Sequence, residues 1–279
     1  FATTALVATA SVAAADVTFS GMGRFGVKTT STTGAATVTD ITTRMQLDVK
    51  ASVELESGMT LGAATRWRDT DGAASKTFNA PTFTMSSGGL TLVVGNNYGQ
   101  MYNGRISANN VGLTGLGFEA DVITGFDEYS SNGTGPQGVD VNYSVGGVEL
   151  GVSHSKTTEN TQASIAYSAG ALSFGASMQD GKVAADDFTG VGVGYAFEGG
   201  SVNLAYGDRN GAKATTLGGT YSVAAATSLT AFVKDSNTAG VKNVYGIGVS
   251  HDLGGAKLQA GYVDNATGSV ADFGIVFNF

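Results

Sequence analysis

Four carboxylates, Glu119, Asp121, Asp127 and Glu128, stand in a stretch of chain, Asn97–Gln137, whose only basic residue is Arg105. Upstream of it, Arg24, Lys28, Arg44, Lys50, Arg66 and Arg68 make six of the chain's 15 basic residues. Acids and bases separated in this way suit no bond-making reaction. Facing each other across a thin column of water, they would set up a transverse field, focused by low-dielectric walls. Such a field orients dipolar solutes and turns away large apolar ones, so it selects by size and charge. Glu119 and Asp121 share a parity within Leu116–Ile123 and are the stronger acidic candidates.

Other chemistry is sparse. His154 and His251 stand alone, with no partner at metal-ligand spacing, and no Ser-His-acid constellation can be assembled around them. Gly190-Val-Gly-Val-Gly194 lies within a strand pattern, not between a strand and a helix, which excludes a dinucleotide loop. Asp69-Thr-Asp71-Gly72 is too short for an EF-hand. Loop aspartates leave Ca²⁺ as the one ion to consider, through carboxylate and carbonyl oxygens; no other cofactor is expected.

The residues that must position these charges alternate with a period of two. In the first strand pattern, Val17, Phe19, Phe25 and Val27 share one parity, and Thr18, Ser20, Arg24 and Lys28 the other. In the second, Met45, Leu47, Val49, Val53 and Leu55 oppose Arg44, Gln46, Asp48, Lys50, Ser52 and Glu54. This is a strand with one apolar and one polar face. All six upstream bases fall on the polar parity, and Arg24, Lys50 and Arg66 are expected at one depth on adjacent strands. Twelve residues exceed the usual 5–6 of a globular strand and suit a tilted membrane strand.

The alternation recurs to the end of the chain, punctuated by Ser57-Gly58, Gly88-Gly89, Gly146-Gly147, Gly199-Gly200 and Gly254-Gly255. It lapses only over 97–137, a length that usually marks a functional or disordered segment. The patterns number sixteen if Leu116–Ile123 belongs to that loop and seventeen if it is a strand. Two chain ends on one side of a barrel require an even number, which assigns Leu116–Ile123 to the loop. In the final strand Ala271, Phe273, Ile275, Phe277 and Phe279 share a parity. Phe277 and Phe279, with Tyr195, Tyr206, Tyr221, Tyr245 and Tyr262, are candidates for aromatic girdles.

Composition agrees. With 42 Gly, 2 Pro and 14% charged residues, long helices are disfavoured. No run reaches the length of a membrane helix, and a mean hydropathy of +0.07 is compatible with a barrel that hides its apolar surface on alternate positions. A formal charge of −8 argues against a nucleic-acid partner. The absence of Cys argues against a disulfide-stapled module. Residues 1–15, apolar and ending in small side chains, read as the remnant of a secretory signal, leaving 16–279 as one barrel domain.

Taken together, Gly21-Met-Gly-Arg-Phe-Gly26, the Arg44-bearing second strand, Gly95-Asn96 before the long loop, Tyr245-Gly-Ile-Gly248 and the Phe277-Asn-Phe279 terminus resemble a family. It is the trimeric general diffusion porins of α-proteobacterial, Rhodobacter-like, outer membranes. The resemblance implies an all-β, transmembrane, antiparallel up-and-down barrel of sixteen strands, with the third loop folded into the lumen. It also implies a homotrimer in outer-membrane lipid and lipopolysaccharide, passing small hydrophilic solutes and ions. Phe277 and Phe279 would present the signal read by the outer-membrane assembly machinery. Two other readings remain at this stage: a secreted soluble β-rich surface or adhesion protein, and a barrel lipase.

Overall fold

The computed structural model describes residues 15–72, 78–103, 109, 111–116, 137–237 and 240–279. Sixteen antiparallel strands follow one another around a closed barrel. They are β1 (Asp16–Thr32), β2 (Val38–Glu54), β3 (Thr60–Thr70), β4 (Thr82–Ser87), β5 (Leu90–Gly95) and β6 (Gly138–Val145). Then come β7 (Val148–Ser155), β8 (Thr161–Ala169), β9 (Leu172–Asp180), β10 (Phe188–Phe197) and β11 (Gly200–Arg209). The circuit ends with β12 (Ala212–Ala224), β13 (Thr227–Asp235), β14 (Val244–Asp252), β15 (Ala256–Asn265) and β16 (Gly268–Asn278). β1 pairs with β16 from Met22↔Asn278 to Thr32↔Gly268 and closes the wall. Gly21 and Phe279 complete the seam by exchanging backbone hydrogen bonds of 2.7 and 3.1 Å. Closure leaves no edge, the condition for β-structure in lipid.

The apolar parity faces outward. Phe19, Ile41 and Phe273 are 68%, 78% and 51% exposed, and comparably exposed apolar side chains cover every part of the circumference. A soluble sandwich would bury this face; a lipid-facing barrel presents it. Near one end, Tyr195, Phe197 and Tyr221 stack at centroid distances of 6.4 and 6.3 Å. Phe277 and Phe279 lie 6.2 Å apart, over Gly21 and Gly23, which leave room for their rings. Tyr206, Tyr245 and Tyr262 are also exposed, towards the other end of their strands. Exposed aromatic side chains thus occur near both ends of the barrel.

At the end bearing Phe279 the connections are tight. Gly146 and Gly147 both take positive φ, 57° and 82°, as a two-residue hairpin matched to strand twist requires. The opposite end carries the long connections, although Asn210-Gly211 and Ala266-Thr267 are short there too. Strand lengths are uneven. β1 and β2 reach 17 residues, beyond their alternating cores, because threonine-rich segments pair at their ends, Thr29 Oγ1 lying 3.0 Å from Thr39 Oγ1. β4 and β5 have six residues each, so the wall is low there.

β5 pairs directly with β6. No strand stands between them, which agrees with assigning Leu116–Ile123 to the loop. Leu116 itself is buried inside the barrel with Val111, Phe232 and Val263; 117–123 lie outside the described residues.

Candidate functional site

A sixteen-stranded barrel encloses a channel wider than its own side chains can fill, so what crosses the lumen determines its function. The chain leaves β5 at Gly95 and turns inward. After Tyr98 it forms a single helical turn, α1 (Gln100–Asn103), against β7 to β9. Gln100 donates from its backbone to Ser153 Oγ (3.0 Å) and from Nε2 to Asn142 Oδ1 (2.7 Å), and accepts from Ser164 Oγ (2.8 Å). Met101 N donates to Gln162 Oε1 at 2.9 Å, and Gln162 passes the chain of amides on to Gln179 at 2.8 Å.

Further along, Asn109 exchanges two amide hydrogen bonds with Asn203 of β11, at 3.1 and 2.9 Å. Val111 packs on inward-facing Phe232 and Val263, and Val244 and Val270 border this patch. Leu113 N donates to Asp272 Oδ1 (2.8 Å), and Thr114 donates to Asp272 Oδ2 from both N and Oγ1 (2.6 Å each). Arg24 Nη1 donates to Leu113 O at 3.0 Å. The loop's described residues thus meet the inner wall on β7 to β9 and on β11 to β16, and reach β1.

Inward glycines make the bed for it. A Cβ on Gly248 would lie 2.9 Å from Val111 Cβ, and one on Gly261 2.5 Å from Gly112 Cα. Gly151, Gly218 and Gly274 are likewise pressed by Gln100, Asn109 and Leu113. The inward parity is accordingly not polar throughout, as the alternation alone suggests. Opposite the loop it carries small and apolar residues. Of this bed only Gly248, within Tyr245-Gly-Ile-Gly248, belongs to a motif legible in the sequence.

The basic residues lie on the remaining arc, on β1 to β3, and all six take the inward parity. Their expected common depth is corrected by the strand register. Arg24 pairs with Arg44, whereas Lys50 pairs with Thr18 and Ala64, six residues further along β2. At about 3.3 Å per residue that is roughly 20 Å along the strand. The bases form a ladder running down the wall, not a ring. Three rungs are braced: Arg44 Nε to Thr70 Oγ1 (3.0 Å), Arg68 Nε to Gln46 Oε1 (3.0 Å), Arg66 Nε to Asp48 Oδ1 (2.8 Å). Arg66 is therefore ion-paired. Lys28 stands between Asp40 and Asp272 in the register. Arg24, 8% exposed, lies under the loop.

The loop acids Glu119, Asp121, Asp127 and Glu128, like Arg105, lie outside the described residues. Among the described residues no three His, Cys, Asp or Glu side chains come together as a metal-binding group. Asp71, considered above for Ca²⁺, accepts instead from Thr42 Oγ1 (3.0 Å) and Thr43 N (2.6 Å). His154 and His251 each bond a threonine hydroxyl of the neighbouring strand, at 3.0 and 2.8 Å.

Comparison with known proteins agrees with this architecture. The family model for Gram-negative porins matches residues 2–273. The porin of Fuscovulum blasticum is 30% identical over 297 residues, covering 95% of this chain and all of the relative. A solved quintuple mutant of the Rh. blastica porin superposes with a TM-score of 0.86 at 28% identity, covering 95% of this chain and all of that one. A triple mutant of the same porin gives 0.86 at 29%, with the same coverage. The adhesion-protein reading finds no support in these relationships, and neither does an enzymatic one. The chain belongs to the Gram-negative porin family: it is a closed β-barrel of the bacterial outer membrane that acts as a channel for passive diffusion.

Proposed function

We propose that the loop Asn97–Gln137 is the constriction of this channel, and that small hydrophilic solutes and ions are selected there by size and charge. The observation that carries this reading is that Gln100, Met101, Asn109 and 111–114 are fastened to the inner wall between β7 and β1. Arg44, Arg66, Arg68 and Lys50 line the remaining arc, on β2 and β3. Glu119 and Asp121, and beyond them Asp127 and Glu128, would then face these bases and supply the negative side of the field. Residues 1–15 are taken as a signal remnant removed on export, and Phe277 and Phe279 as the mark read during outer-membrane assembly.

The same reading includes a homotrimer set in lipid and lipopolysaccharide. Its support is the low wall at β4 and β5 and an apolar hollow of about 260 Å³ on the β2–β4 surface, lined by Ala51, Val53, Leu61, Ala63 and Phe83. A neighbouring barrel would cover this low side. Stepwise openings in groups of three in a planar bilayer are the expected signature.

The test of the constriction is the reversal potential under a salt gradient. The double substitution E119Q/D121N is expected to shift selectivity towards anions. Unchanged reversal potentials would remove the loop from the filter.

A further inference from the structure

Gln162 of β8 and Gln179 of β9 stand directly opposite each other in the register, both on the inward parity and 0% and 3% exposed. Side chains paired in this way have Cβ atoms about 5 Å apart, so their amides meet, Gln162 Nε2 donating to Gln179 Oε1 at 2.8 Å. The direction of this bond is set from the loop. Met101 N donates to Gln162 Oε1 at 2.9 Å, which leaves Gln162 Nε2 for β9 and Gln179 Nε2 for a partner further on.

The next inward residue along the row is Phe188 of β10, paired with Gln179 on one side and with Arg209 of β11 on the other. A phenyl ring continues no chain of hydrogen bonds, and β9 and β11 lie about 10 Å apart. The connection between β9 and β10, on the rim opposite Phe279, bridges the gap with the 3₁₀ turn Ala184–Asp186. Asp186 O accepts from Gln179 Nε2 at 2.7 Å. Asp186 Oδ1 accepts from Arg209 Nη2 at 3.0 Å, and Ala185 O from Arg209 Nε at 3.3 Å. A continuous line of contacts thus runs from an ion pair on the rim, through two buried amides, to the backbone of α1. A buried amide that loses one partner is left with an unpaired donor or acceptor, and bonds in a chain reinforce one another.

We propose that Arg209 and Asp186 are positioning residues for the loop: by holding the rim turn they fix Gln179, then Gln162, and through it the backbone of Met101. Passage through the pore is thereby controlled from its rim. The ion pair is the adjustable member of the line, because its side chains are 34% and 36% exposed and open to screening by salt. This inference rests on the reading of the loop as the constriction and adds a means of regulation to it.

Hydrogen–deuterium exchange of the full-length protein in detergent micelles, read on peptides covering 98–103, tests it beside single-channel recording. Arg209→Ala and Asp186→Ala remove opposite charges, so a purely electrostatic effect moves reversal potentials in opposite directions. Positioning instead accelerates exchange at Met101 in both, about two- to fivefold for a partly exposed ion pair. Gln179→Met keeps the length of the side chain without its amide and is expected to accelerate exchange roughly tenfold or more. Adding Arg209→Ala to Gln179→Met should bring no further acceleration, because the two act in series. Unchanged exchange in Arg209→Ala and Asp186→Ala, or additive effects in the double variant, overturns the proposal. The two rim variants carry the test if Gln179→Met does not assemble. Accelerated exchange with single-channel currents of unchanged size and noise leaves the positioning in place and removes the constriction reading instead.

Discussion

Thr114 donates to Asp272 twice, from its backbone and from its hydroxyl, although 158 residues separate them in the chain. With Leu113 N on the other oxygen, a single carboxylate takes up three donors of the loop. Removing it leaves these donors unpaired in a buried place, at about 1–3 kcal/mol for each group. The Asp272→Ala variant is therefore expected to conduct with larger and noisier single-channel currents and to admit larger neutral solutes in liposome swelling. The barrel should remain folded, because Asp272 contributes no backbone bond that alanine lacks. Quiet channels of unchanged size would show that the loop is held elsewhere.

The glycine bed gives a second prediction. A Cβ on Gly261 would approach Gly112 Cα to 2.5 Å, backbone against backbone, where no side chain can swing aside. Gly261→Ala should displace the loop from β15 while leaving the lipid-facing surface untouched. Limited proteolysis at the loop should accelerate, with little change in the thermal unfolding of the barrel. An equally protected loop would mean that the bed yields.

Charge on the β1–β3 arc gives a third. Arg44 is braced by a neutral partner, Thr70, whereas Arg66 is paired with Asp48. Arg44→Ala is expected to shift selectivity towards cations more than Arg66→Ala does. The difference should shrink at high salt, as the screening length falls to about 3 Å at 1 M. Reversal potentials at two ionic strengths decide between this order and its reverse.

The seam gives a fourth. Phe279 joins Gly21 through two backbone bonds, and its ring covers the same glycine. The backbone bonds survive Phe279→Ala, but the ring's cover over the seam is lost; as Phe279 is 57% exposed, this is only part of the roughly 1.5–3 kcal/mol of a fully buried aromatic side chain. The variant is expected to lose its folded, heat-resistant gel form at a lower temperature than wild type.

The lipid-facing half of this molecule could be read from the chain because it is a local property. Whether Phe273 or Asp272 points outward is decided by neighbours one residue away. The ends of β1 and β2 could not be read so, because Thr29 and Thr39 stabilise each other across the hairpin without any apolar alternation. The register was harder still. Counting from strand ends placed Lys50 beside Arg24, whereas the pairing places Arg44 there. The loop's anchorage is not legible locally, since Asp272 and the inward glycines gain meaning only through partners distant in the chain, 51 residues for Gly151 and Gln100 and 158 for Asp272 and Thr114. Its acids can be named in the sequence as candidates, and they lie outside the described residues.

The anchorage has one further consequence. From Gln100 to Thr114 the fixing contacts are made largely by backbone amides, two amide side chains and the absence of Cβ atoms beneath. All of them lie upstream of Glu119, Asp121, Asp127 and Glu128, which are outside the described residues. The described anchorage thus lies wholly ahead of the acidic stretch, in backbone and amide contacts that carry no charge of the loop's own. A scaffold of that kind fixes where the loop enters the lumen without committing the sign of the charges that follow it.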